Sequence, residues 1–136
     1  MSLVDATENA LLDHFLGGPD YTRLATVYLA LSTTTPTDAG GNFTEPTGGS
    51  YARVAITNNA TNFPAASGGA KSNGVKFSFP TATADWSSGA NMTYIGLFDA
   101  ATAGNLIAYG AITTPKAVLN GDTAEVAIGD LDVTMD

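Results

Sequence analysis

The sequence predicts an all-β protein, an antiparallel β-sandwich of jelly-roll type preceded by one short N-terminal helix. Three observations carry this. Beyond residue 25 the chain is a series of roughly eight short apolar runs, each bounded by Gly, Pro, Asn or Asp. Only the first twenty residues repeat apolar positions at the helical period. The length of 136 residues suits one core, which buries about two-thirds of the surface of the unfolded chain. The division expected is a helical segment over residues 1–20 and a β-sandwich over residues 21–136.

The helix comes first. Asp5 and Glu8 have the spacing of a capping box, in which the aspartate accepts from an early amide and the glutamate reaches back. Leu11, Leu12, Phe15 and Leu16 then form one apolar stripe, and Gly17-Gly18-Pro19 ends the pattern. A helix this short is marginal alone, so its stripe must pack on something: an open end or edge of the sheets, or a neighbouring subunit.

The strand candidates are residues 26–32, 51–57, 75–79, 92–98, 106–112, 117–119, 123–128 and 131–135. Alternation is clearest at Val75-Lys76-Phe77-Ser78-Phe79, which buries its odd positions and wets its even ones. Asn120-Gly121 is a two-residue turn signal and is expected to fold 117–119 back onto 123–126. Two long polar stretches remain, 33–50 and 58–74. Loops of that length are uncommon unless they bind something or are disordered, and binding is the reading adopted here.

Composition excludes several chemistries. With 13 acidic against 5 basic residues the net charge is −8. The basic residues are scattered, so no stripe exists to displace counterions from a phosphate backbone, and no nucleic acid partner is expected. Cysteine is absent, which removes disulfides, thiolate nucleophiles and Cys-based zinc sites. No basic segment precedes a long apolar core at the N-terminus, and no run approaches a membrane span, so neither secretion by a signal peptide nor a membrane partner is expected.

No catalytic set emerges, and no cofactor or metal is expected. His14, the single histidine, adjoins Asp13, but adjacent helical positions point about 100° apart. Asp130, Asp132 and Asp136 share one face of a terminal strand; without a ligand loop they read as a wet edge rather than a calcium site. Arg53 interrupts an apolar strand, so its guanidinium reaches solvent, pairs with a carboxylate such as Asp99, or bridges to another subunit. Trp86 reads as a core or interface anchor. Leu11, Phe15, Arg53 and Trp86 are the candidate interface residues.

Taken together, Tyr28-Leu29-Ala30-Leu31-Ser32, Tyr51-Ala52-Arg53-Val54-Ala55-Ile56, Tyr94-Ile95-Gly96-Leu97-Phe98-Asp99-Ala100, Leu106-Ile107-Ala108-Tyr109-Gly110 and Asn120-Gly121-Asp122-Thr123 resemble a family of small virion proteins of tailed bacteriophages. Members are often labelled tail fibre or head decoration proteins, and the resemblance spans nearly the whole chain. It implies a virion protein, made in the host cytoplasm, that contacts the major capsid protein or tail proteins; the run of strand candidates and a helix marginal by itself add the expectation of a dimer or trimer, and the missing catalytic set that of a non-enzymatic protein. The resemblance also implies that the two long loops meet neighbouring subunits or the underlying shell. A fibre shaft usually needs repeats or heptads for reach, and this chain has neither. The expectation is therefore a capsid decoration or cement protein, with a tail or tail-fibre component as the alternative and a carbohydrate-binding or depolymerising protein third.

Overall fold

Val27, Leu29 and Leu31 alternate with Tyr28, Ala30 and Ser32 along one strand, and nearly all six are withdrawn from water. A strand buried on both faces must lie inside a sheet with cover on each side. The computed structural model, which describes residues 1–135, places it there. The elements are β1 (Ser2–Leu3), α1 (Asp5–Phe15), β2 (Thr26–Ser32), β3 (Val54–Thr57), β4 (Ala70–Ser72), β5 (Phe77–Ser78), a short turn at Trp86–Gly89, β6 (Asn91–Phe98), β7 (Leu106–Ala117), β8 (Glu125–Val126) and β9 (Asp132–Thr134). Five strands form one sheet in the order β1-β7-β6-β2-β3, and two ribbons, β4-β9 and β5-β8, accompany it. Every pairing is antiparallel. The all-β, antiparallel class with one short helix is thus the architecture of the chain.

The ribbons and their connections cover one face of the sheet. There Val27, Leu29, Leu31, Ile56 and Leu97 meet Phe63, Phe77, Phe79, Trp86 and Leu131 in the main core. The opposite face carries a smaller cluster, Val4, Ala30, Phe98 and Leu106, with Phe43 and Tyr109 against it. Phe43 reaches the sheet because Gly96 leaves room: a Cβ at Gly96 would stand 2.5 Å from the Phe43 ring. The ring meets Phe98 edge to face at 5.0 Å.

The long stretch 33–50 is consequently a folded cover for this second face. The buried Ser32 hydroxyl accepts from the amides of Thr34 and Thr44, the Thr34 hydroxyl donates to the Asn42 carbonyl at 2.6 Å, and Asn42 Nδ2 donates to Thr35. The stretch 58–74 is similarly internal. Asn59 Oδ1 accepts from the amides of Thr61 and Asn62, Phe63 enters the core, and residues 70–72 form β4. Small polar residues hid that strand, as its two-residue length hid β1.

Three local expectations are corrected. The capping box does not form: the N-cap is Val4, whose side chain has no acceptor and is buried while its amide donates to Ile107, and this places Asp5 inside the helix. The Asp5 amide is instead satisfied by the Asp38 carbonyl at 2.9 Å. The helix does end at Gly17, whose φ of 94° lies in the left-handed region. Second, run 106–112 continues to Ala117 in β7, Leu106–Ala117, so only the first residue of run 117–119 is strand, and a register shift absorbs the intervening residues, including Pro115. Third, the turn at Asn120-Gly121 forms, with Asp122 N donating to Leu119 O at 2.9 Å, but it does not close a hairpin. β7 pairs with β6 and β8 with β5, so this turn carries the chain from one layer to the other.

β9 starts at Asp132, and Asp130 lies in the turn before it, its amide donating to Ala127. The even-spaced acidic row is therefore not built on one strand; its last member, Asp136, lies outside the described residues.

Candidate functional site

Arg53 and Tyr51 show how the second strand of the sheet was set. Leu31 N does not continue the β2–β3 ladder; it donates to the Tyr51 hydroxyl at 3.1 Å, and that hydroxyl donates to Glu45 Oε1 at 2.8 Å. The ladder accordingly ends at Leu29 and Val54. Arg53 then grips the same carboxylate with both arms, Nε to Oε1 at 3.0 Å and Nη2 to Oε2 at 2.7 Å. Its Nη1 donates to the carbonyls of Ala100 and Ala103, and its guanidinium carbon lies 3.7 Å from the Phe98 ring centroid. With 5% of the side chain exposed, Arg53 is an internal clamp and takes the carboxylate-paired alternative among its readings. Asp99 is not its partner: that carboxylate accepts from Asn105 N and Nδ2 and closes the β6–β7 connection.

Burial pushes the Tyr51 phenol well above its ordinary value, with the Glu45 charge adding to the rise and the Leu31 amide opposing it. A hydrogen bond to Asp38 raises Tyr109 to about 12. Both groups bind their protons more tightly folded than unfolded. Their contribution is complete below the unfolded value of 10.0 and is lost as pH rises above it. Urea unfolding at a series of pH values is expected to give a constant midpoint up to about pH 9.5 and a falling one beyond. Tyr51→Phe should remove about half of that alkaline slope, Tyr109 supplying the rest, and an unchanged slope would contradict the assignment.

Of its two readings, Trp86 takes that of a core anchor. It is fully buried, its Nε1 donates to Gly49 O at 2.9 Å, and Tyr51 and Phe79 meet it edge to face at 5.0 Å and 6.3 Å. It offers no face to a sugar or a subunit. His14 Nδ1 accepts from the Tyr21 amide at 3.2 Å and lies 3.5 Å from Asp20, so it ties the segment after α1 to the helix. Among the described residues no three His, Asp or Glu side chains are grouped to hold a metal ion.

What remains at the surface is the helix stripe. Leu12 is 56% exposed, Phe15 71% and Leu16 82%, and no residue of α1 is buried. The expectation that the stripe covers a sheet end within its own chain is therefore corrected: the chain docks Val4 and β1, and these turn the helix outward. Leu11 is half-buried beside a groove of about 200 Å³ that Leu3, Leu12, Phe15 and Met135 also line. Sequence periodicity identified Leu11 and Phe15, but the Met135 side of the groove comes from the far end of the chain and had no local signal.

A family model described as podophage GP4 fiber I protein gp80 matches residues 2–134. The chain belongs to this podophage fibre family. No curated protein matches it. Membership gives the chain a structural role in the virion, and it supports the fibre side of the family resemblance over the head-decoration side. In this fibre-family chain, no helix among the described residues is long and apolar enough to cross a membrane.

Proposed function

We propose that the protein is a non-enzymatic component of the phage tail fibre, joined to a second copy of itself through the exposed face of α1. The observation that carries this reading is the pairing of the fibre-family match with an uncovered Leu12, Phe15 and Leu16 ridge. Leu12 and Phe15 form both the ridge and one wall of the groove, so two copies related by a two-fold axis can each set a ridge against the other's groove. The polar candidates for chemistry are occupied structurally. Arg53 and Glu45 hold each other, Asp99 closes a turn, and Asp122 accepts from the Leu119 amide.

Immunogold labelling of intact virions tests the placement. Gold confined to the tail supports the proposal, whereas gold over the whole head assigns the protein to capsid decoration. The contact has its own test. Light scattering of the purified chain is expected to give a dimer, and the double variant Leu12→Ser with Phe15→Ser a monomer. Because both side chains are exposed, the variant should keep its stability to within about 1 kcal/mol. A wild-type monomer at high micromolar concentration would remove α1 as the contact and leave the fibre assignment standing.

A further inference from the structure

An open cleft of about 640 Å³ separates β7 from β8, and a strand edge runs along each side of it. On one side β7 continues past β1, which pairs only with Ala108 and Tyr109, so residues 111–117 have no described strand neighbour on that edge. On the other side β8 has β5 as its single strand neighbour among the described residues. Half-buried Ile95, Ile112, Ala124 and Val126 form an apolar floor between them. Exposed Thr113 and Thr114 line the β7 wall, and Pro115 lies just beyond them. The other wall and the mouth carry Asp122, Asp130 and Glu125, the last already paired with Lys76 at 2.7 Å, and one lysine, Lys116, also lines the cleft.

We propose that this cleft accepts an extended segment of a different, basic polypeptide, which adds a strand between β7 and β8. Two facing strand edges call for a backbone as occupant, since only a backbone supplies donors and acceptors at strand spacing. The floor calls for apolar side chains at alternate positions, and the acidic rim calls for basic residues at the positions between. A second copy is the poorer occupant: with 13 acidic and 5 basic residues it would bring further negative charge to an acidic rim. Pro115 lacks an N–H and ends the pairing run, so the added strand engages β7 along Ala111 to Thr114.

The test is a titration of the isotope-labelled full chain with the blocked peptide Lys-Val-Lys-Val-Lys-Val, followed by amide chemical shifts and hydrogen exchange. Saturable shifts at Thr113, Thr114 and Glu125, with slowed exchange of those amides, are expected. The peptide Glu-Val-Glu-Val-Glu-Val, and the lysine peptide N-methylated at alternate residues, should each bind at least about tenfold more weakly. Asp130→Lys, at an exposed turn position, should weaken the lysine peptide severalfold without changing the melting temperature. Equal binding of all three peptides, shifts scattered over the acidic surface, or no binding at millimolar peptide would overturn the proposal. Concentration-dependent protection of the same amides in the free protein would also overturn it, by assigning the cleft to a second copy.

Discussion

Arg53→Ala is expected to lower stability by about 3–5 kcal/mol, a large share of what a domain this size possesses. The guanidinium makes four hydrogen bonds, two to Glu45 and one each to Ala100 and Ala103, and stacks on Phe98. Its removal leaves the Glu45 carboxylate against the Tyr51 hydroxyl with no counter-charge, and leaves two loop carbonyls without their donor. Lysine should rescue little, because a point charge cannot fork across a carboxylate and reach the carbonyls together. The paired change Arg53→Met with Glu45→Gln removes the stranded charge and should recover part of the loss. Urea midpoints for the four proteins check this. A loss below about 1 kcal/mol for Arg53→Ala would show that water replaces the clamp.

Trp86→Ala should be comparably severe, at about 3–5 kcal/mol. The indole is fully buried among Tyr51 and Phe79, so truncation opens a cavity between the sheet and its cover. Trp86→Phe keeps most of the volume but leaves the Gly49 carbonyl without its donor, and should cost about 1–3 kcal/mol. As the single tryptophan, it also reports on itself. Native emission should be blue-shifted and should move to the red in the same transition that circular dichroism records. Red-shifted native emission would contradict the buried position.

Much of the fold was legible because its signals are local. Residues 26–32 declared β2 to the residue, and the alternation of Val75, Phe77 and Phe79 matches the burial of Phe77 and Phe79. Gly17 ended the helix where the pattern said it would. The failures involve choices between partners that local sequence does not encode. Nothing around Arg53 distinguishes Glu45 from Asp99; the sheet decides by bringing one carboxylate to the Tyr51 hydroxyl and turning the other toward Asn105. Nothing around Asn120-Gly121 says that its flanking strands belong to different layers. The helix stripe was legible as a stripe, but its exposure follows from Val4, whose burial fixes where the helix departs from the sheet.

The central place of β2 has a consequence for the time course of folding. Its bonds to β6 join positions such as Ser32 and Thr93, 61 residues apart, and the β4–β9 ribbon joins Ser72 to Asp132 across 60. Neither connection can close as a local hairpin, so chain entropy must be lost before either contributes. On a ribosome, β2 can pair early only with β3; its other edge waits unpaired until β6 has emerged, which is later than the synthesis of two-thirds of the chain. The acidic, cysteine-free composition is what keeps such a waiting chain dispersed: charge repulsion holds unfinished copies apart, and no thiol can cross-link them.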